Sequence, residues 1–442
     1  MTTEPSPIAP PLPAQPPVQT PAPTPSARRR AGLPSVLAFT FVNSLGTGVV
    51  TNGIFFLTRQ AYGFGDAANY TLGIVFAAMY IAGAVAVGPL LTRLAARTDA
   101  ISHRAILIAL MLVLGSACLL PWGVHDPEGG RSAWSIWVLA VIYGPLTGSL
   151  WPVVEAYLSG ERRGGVLRSA TGWFNIVWAS AVVLAFWVMA PYVEAHPLAI
   201  VAAVGVLHVL SIPVLARFPR DPGRHLDHAD HEPHPPVYRD LLRTFRVLLP
   251  ASYVLSTSIG PFMPGALDRM NVPTAWQTPL TATWLATRVA VFALMGLVHR
   301  WHGRWSTAVH GSAALLIGYA IVVLAPRVFE PGPAGVTALI LGLAVFGVGM
   351  GIVYSAALYY ALEVGQAEVS AGGMHEALIG VGYLIGPAIM LGATGAAGAM
   401  GRPGAFEWIV LGTIGTLSLG VATVVGRRLV RAGRAAEGAA GQ

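Results

Sequence analysis

Four histidines spaced three residues apart are the first candidate metal ligands: His225, His228, His231 and His234. Imidazole suits Zn²⁺ and Ni²⁺, but a structural metal site also needs fixed geometry and a second layer of partners. The prolines around these histidines disfavour a helix that would order them. We therefore predict that residues 223–236 form a solvated connection and hold no metal, with a weak metal site as the alternative.

A lone cation in an apolar stretch is a stronger candidate for a binding site. Arg288 lies about ten residues into such a stretch, which is ~15 Å along a helix. Thr281, Trp284 and Arg288 would share one face of that helix. The planar fork of Arg288 could then anchor an anionic or polar substrate. The alternative is a salt bridge or a carbonyl-capping contact between helices.

Two carboxylates lie near the ends of other apolar stretches. Glu155 and Arg168 each lie about one turn from such an end, and we predict a gating salt bridge between them. His375 and Glu376 begin a later stretch, where Glu376 and Tyr383 share a helix face. Glu376 either pairs with Arg288 in one state and takes up a proton in another, or caps its own helix.

The composition places these residues in a membrane protein. The chain has 442 residues, of which 54% are apolar and 11% are charged, whereas soluble domains carry about 25% charge. The net charge of +7 is the excess of 27 basic residues, all of them arginine, over 20 acidic residues. The arginines cluster in short segments between apolar runs, which argues against nucleic acid as a partner. Cys118 is the single cysteine, so an intrachain disulfide and a cysteine-based zinc cluster are excluded.

Apolar runs long enough to span a bilayer occur twelve times, and their count sets the expected architecture. They lie near 35–57, 69–92, 104–124, 133–158, 166–191, 197–216, 247–267, 278–298, 306–326, 335–361, 373–397 and 405–426. This pattern predicts a disordered proline-rich tail at 1–33, a bundle at 34–217, a linker at 218–246, a second bundle at 247–430 and a tail at 431–442.

The arginines predict the orientation in the membrane. With the N-terminus in the cytoplasm, 21 of the 27 arginines fall in cytoplasmic segments, five fall outside, and Arg288 is left in a span. The positive-inside rule therefore predicts an inner or plasma membrane protein with both termini in the cytoplasm.

The two halves repeat each other in sequence. Residues 148–175 resemble residues 351–376, with Trp151 opposite Tyr354 and Tyr157 opposite Tyr360. Gly172 falls opposite Gly373 after a two-residue shift. Six spans, a long loop and six related spans form a pattern typical of secondary transporters.

A loop motif in each half resembles the major facilitator superfamily. In GPLLTRLAAR (88–97) the residues Gly88, Leu90, Arg93 and Arg97 match the family pattern, although Thr92 stands where the family has Asp. In GLVHRWHGRW (296–305), Gly296, Gly303 and Arg304 match. Glu155, followed by Arg163 and Gly164, resembles a feature of sugar porters. The resemblance covers about residues 34–430.

The resemblance implies an all-α integral membrane fold of twelve transmembrane helices in two pseudo-symmetric six-helix bundles. It also implies a central cavity lined by helices one, four, seven and ten. The residues expected to bind substrate are Asn43, Thr47, Trp151, Asn175, Ser256, Trp284, Arg288, Tyr354 and Tyr383. His208 in the sixth run is expected to be a packing residue with satisfied hydrogen bonds.

The function expected from these features is secondary transport of a small solute by alternating access, coupled to H⁺ or as a uniporter. The chain contains no lysine and no phosphate-binding loop, which argues against direct use of ATP. We find no clustered catalytic set, so we expect no enzyme activity and no cofactor. We also expect a monomer in the bilayer. The alternative is a transporter-like sensor or scaffold that binds a ligand without moving it.

Overall fold

The computed structural model of the chain describes residues 30–97, 101–124, 132–162, 164–222, 235–364 and 369–440. The described residues form helices and no strands, as the all-α prediction requires. The tail at 1–29 and the four spaced histidines lie outside the described residues. Twelve long helices run as α1 (Leu33–Tyr62), α2 (Asp66–Arg97), α3 (His103–Gly123), α4 (Trp134–Ser159), α5 (Gly164–Met189), α6 (Pro197–Leu215), α7 (Pro236–Arg269), α8 (Thr274–Leu297), α9 (Trp305–Val328), α10 (Pro333–Val364), α11 (Val369–Ala399) and α12 (Phe406–Ala440).

Eleven of these described helices are long and apolar enough to cross a membrane. The exception is α7, which has 34 residues and is therefore long enough. It carries charged residues in its first turns and the hydroxyl groups of Ser252, Ser256 and Ser258 further on, which lower its hydropathy. Because these hydroxyl groups are buried among other helices, α7 is shielded from lipid along this face.

The helices pack into two halves, α1–α6 and α7–α12. In the first half α2 packs on α4, α3 on α6, and α1 on α5 and α6. In the second half α9 packs on α10, α7 on α11, and α8 on α10. The halves meet where α2 contacts α11 and where α5 contacts α8, so any site shared by the halves lies between these two helix pairs.

Two boundaries differ from those expected from hydropathy. α7 begins at Pro236 rather than near residue 247, and α12 continues to Ala440. A proline at the first helical position suits helix initiation. The early turns of α7 also bury Leu241, Leu242 and Phe245, and this packing stabilises a helix that extends beyond the apolar run.

Candidate functional site

A cavity lies between the two halves, at the middle of the helices. Its empty volume, counted together with the open solvent at its mouth, is about 900 Å³. The first half contributes side chains from α1, α2, α4 and α5, and the second half from α7, α8 and α11. The predicted substrate-binding residues that line this cavity are Thr47, Ser256, Trp284, Arg288 and Tyr383.

A π-helical segment, Thr47–Gly53, interrupts α1 beside the cavity. Thr47, Thr51 and Asn52 of this segment line the cavity, and the Asn52 amide donates to the Thr47 carbonyl at 3.1 Å. Gly48 permits the close approach of α5, since a Cβ there would lie 2.5 Å from the Cβ of Ala185. π-segments often occur at functional sites, and this one turns polar side chains of α1 toward the cavity.

Arg288 is the charged residue among those lining the cavity, and it is 3% exposed. Its guanidinium lies over the rings of Trp178 and Trp284, at 4.6 and 4.9 Å from their centroids. Within the described part of the chain Arg288 forms no ion pair, and its Nε has no hydrogen-bond partner. The predicted alternative of a salt bridge between helices is therefore not formed in this conformation.

Aromatic residues from both halves hold the guanidinium in place. The Trp178 indole Nε1 donates to the Asn175 side-chain oxygen at 3.1 Å, which fixes the orientation of the ring. Trp178 also packs against Tyr354 across the interface, with ring centroids 5.8 Å apart. Asn175 and Tyr354, both predicted to bind substrate, therefore lie behind the cavity wall and position Trp178.

Asn43 and Trp151 do not line the cavity. Asn43 is buried in the first half, where its amide donates to the Phe39 carbonyl and its oxygen contacts Nδ1 of His208 at 2.8 Å. Trp151 packs against Phe174 of α5. Both residues lie on the expected helices, α1 and α4. Their side chains contact other helices of the first half and do not line the cavity. His208 is a satisfied packing residue, as predicted.

Glu376 lies at the interface between the halves and is 7% exposed. It accepts a hydrogen bond from the Tyr80 hydroxyl of α2 at 2.5 Å, and it does not pair with Arg288. Glu155 lies on α4, which packs on α11, and interacts electrostatically with Glu376. His375 precedes Glu376, and its buried Nε2 has no partner among the described residues.

The predicted salt bridge between Glu155 and Arg168 is not formed. Arg168 lies exposed on α5, whereas Glu155 is half-buried on α4. The position of each residue one turn from a helix end was insufficient to predict the pair, because contact also requires the two faces to meet.

The loop motif residues lie at the ends of helices and away from the cavity. Gly88 lies inside α2, and Arg93 and Arg97 are exposed near its end. Gly303 has a φ of +69°, which glycine adopts without strain, and its N–H donates to the Tyr360 hydroxyl oxygen at 2.9 Å. Arg304 is exposed and directly precedes α9.

Charged residues also join the halves at the opposite end of the cavity. Arg59 of α1 donates to Asp268 of α7 at 2.6 Å and contacts Asp66 at 3.2 Å. Arg269 contacts Asp66 at 3.6 Å. Sequence reasoning missed this group and also missed Tyr80 and Tyr253. For Tyr253 a signal existed, since it shares helical spacing with Ser256 and Gly260.

Comparisons with known proteins connect this arrangement to solved transporters. No family model matches the sequence, and no curated protein matches it. A mutant of nucleoside transporter NupG superposes with a TM-score of 0.61 at 13% identity, covering 90% of this chain and 99% of NupG. A bacterial homolog of the human lysosomal transporter Spinster, inward-facing and unoccupied, superposes with a TM-score of 0.60 at 14% identity, covering 90% and 97%.

These similarities extend over both halves and over the helix pairs that enclose the cavity. At such low identity they establish the fold. The resemblance of the loop motifs and the twelve-helix arrangement lead to the same assignment. The chain is a multi-pass membrane protein with the fold of the major facilitator superfamily.

Proposed function

We propose that the protein is a secondary transporter that moves a small solute across the membrane by alternating access. The observation that carries this proposal is a cavity built from both halves, with contacts between the halves on both sides of it. Along α2, for example, Asp66 precedes the cavity residues and Tyr80 follows them. A solute in this cavity touches both halves, as rocking of one half against the other requires.

The contacts on one side are ionic. Arg59 and Asp268 connect α1 with α7, and the Thr278 hydroxyl of α8 donates to the Phe186 carbonyl of α5 at 2.8 Å. Opening this side breaks these bonds and exposes the cavity toward the loops that carry few arginines. The arginine bias predicts that this side of the protein faces the exterior.

The contacts on the other side include a group that can exchange a proton. The hydrogen bond from Tyr80 to Glu376 crosses from the first half to the second. Glu155 of the first half lies on α4, which packs on α11, and it interacts electrostatically with the same carboxylate. Proton uptake by this pair would change the contact between halves, which provides a mechanism for H⁺ coupling.

A flux experiment on reconstituted protein tests the transport proposal. Proteoliposomes would be loaded with a panel of labelled solutes, including a nucleoside because NupG is a nucleoside transporter, with and without a pH gradient. We expect saturable flux of at least one solute that stops when Arg59 and Asp268 are crosslinked through introduced cysteines. Binding without flux would contradict transport and identify a sensor.

Glu376→Gln separates coupling from movement. We expect this variant to exchange solute across the membrane but to lose accumulation driven by a pH gradient, because glutamine cannot carry the proton. The matched control is Glu407→Gln, which changes a buried carboxylate of α12 that lies away from the interface. Full gradient-driven accumulation in Glu376→Gln would exclude the proton role of Glu376 and assign H⁺ coupling to another group, whereas a wild-type protein that never accumulates solute under a pH gradient would be a uniporter.

A further inference from the structure

We infer that the substrate is an organic monoanion, a carboxylate on an apolar body, with its charged end at Arg288. The inference rests on the proposed transport function and names the class of solute. Arg288 is always protonated in proteins. A buried cation without a partner is costly, and the cavity supplies no acidic side chain to neutralise it. A ligand with one negative charge completes this charge balance.

The cation is positioned for a ligand rather than for a protein partner. The π faces of Trp178, Trp284 and Phe292 surround the guanidinium at 4.6, 4.9 and 5.8 Å. Such contacts stabilise the charge and fix its position. They do not satisfy its N–H groups, and the buried Nε of Arg288 has no hydrogen-bond partner among the described residues. These donors therefore remain for a planar oxyanion, which the Arg fork matches.

Hydroxyl groups near Arg288 add further donors. Tyr354 packs against Trp178 and Phe292, whose rings contact the guanidinium. Tyr253 and Tyr383 line the cavity together with Arg288. Neither hydroxyl of these two residues bonds to another described residue. A phenol can donate to a carboxylate oxygen, so the second half presents a cation and O–H donors at one place.

The opposite wall accounts for the apolar body. The parts of α2 and α4 that line the cavity contribute no polar side chain: they are Leu72, Gly73, Phe76, Ala77, Ile136, Leu139 and Ala140. A strongly hydrated solute would lose water against this wall without compensation. An aliphatic or aromatic group would bury apolar surface there. The ligand then lies across the cavity, with its carboxylate at Arg288 of α8 and its apolar body against α2 and α4.

The test compares acids with their amides, which differ mainly in charge. Benzoate, phenylacetate and octanoate, each beside its amide, would be titrated into the purified full chain by calorimetry, with chloride as an inorganic control. We expect at least one acid to bind wild-type protein about tenfold or more tightly than its amide. The acid-to-amide ratio of the wild-type protein needs no variant, so it does not depend on how a mutant folds.

Variants of Arg288 assign the preference to one side chain. Arg288→Gln should reduce the acid-to-amide ratio to about one, and Arg288→Lys should restore part of it, since lysine keeps the charge but loses the fork. Arg327→Gln removes an exposed arginine and should leave the ratio unchanged. Absence of any acid preference in the series, binding of chloride as tight as that of the acids, or a preference retained in Arg288→Gln would overturn the inference.

Flux distinguishes the two proposals. Flux of neutral solutes that is unaffected by Arg288→Gln would leave transport standing and remove the carboxylate assignment. Acid-selective binding that depends on Arg288, but without flux in proteoliposomes, would keep the ligand class and remove transport.

Discussion

At the residue scale, hydrogen bonding inside the first half defines the state of one histidine. Asn43 donates its amide to the Phe39 carbonyl, so its oxygen faces Nδ1 of His208. That nitrogen must then carry the proton. Nε2 is free to accept from the Tyr143 hydroxyl at 3.0 Å. The neutral imidazole thus links α1, α4 and α6 with all its polar atoms satisfied.

We predict that Asn43→Ala lowers the stability of the protein by about 1–3 kcal/mol, because it leaves a buried nitrogen of His208 without a partner. The measurement is the melting temperature in detergent, followed with wild-type protein in parallel. Ser44→Ala is the matched control on the same helix, since the buried Ser44 hydroxyl has no partner among the residues that the structure describes. Its removal should leave the melting temperature unchanged or raise it. An equal loss in both variants would contradict the role given to the Asn43–His208 bond.

At the element scale, Gly373 is one of the glycines at which α2 and α11 approach closely. A Cβ at Gly373 would lie 2.8 Å from the Ala84 carbonyl oxygen on the other half, closer than a real Cβ contact. Gly172 is the repeat-related position on α5, and a Cβ there would meet nothing within 4 Å. The repeated glycine is therefore needed for packing between the halves in one copy and not in the other.

We predict that Gly373→Ala separates α2 from α11 and shifts the protein toward the state that is open on this side. Spin labels at Thr92 and Val381, in a Cys118→Ser background, would report the distance between the two helices. We expect a longer or broader distance distribution in Gly373→Ala, and no change in Gly172→Ala. An unchanged distribution in Gly373→Ala would mean that the helices shift locally to accommodate the methyl group.

At the scale of the whole molecule, the orientation remains a prediction from the arginine bias. Cys118, the single cysteine, is fully buried, so introduced cysteines can be labelled against a silent background. One cysteine would replace Val298, in the turn between α8 and α9. The other would replace Glu330, between α9 and α10. Both positions are exposed and at opposite ends of α9.

We expect an impermeant maleimide to label the cysteine at position 330 in intact cells. The cysteine at position 298 should react only after the membrane is permeabilised, because the positive-inside rule places its turn in the cytoplasm. Cys118 in the unmodified protein is the control for background labelling. The reverse pattern would show that the N-terminus lies outside and that the arginine bias misassigned the topology.

Hydropathy was sufficient to identify the membrane class and most helices, because a span must be apolar along its whole length. The twelve runs correspond to α1–α12. Only α7 falls short in hydropathy, because its polar face is covered by other helices. The start of α7 at Pro236 could not be read from hydropathy, since its first turns are stabilised by tertiary packing of Leu241 and Phe245.

Part of the candidate site was also predictable. A cation such as Arg288 cannot face lipid without cost, so its position in a span already indicated a cavity or a partner. Thr47, Ser256, Trp284 and Tyr383 line the cavity, and their role in substrate binding stays a prediction from helical spacing and the resemblance to the family. These predictions needed only the depth of a residue and the face of its own helix.

The contacts themselves were decided by the tertiary structure. Lipid and the protein interior are both apolar, so the periodicity of a spanning helix does not show which face is buried or which helix it meets. The sequence therefore did not show that Trp178 covers Arg288, that Tyr80 rather than Arg288 binds Glu376, or that Asn43 turns toward His208. Each of these pairs joins helices distant in sequence, and only the rotation and packing of whole helices bring their side chains together.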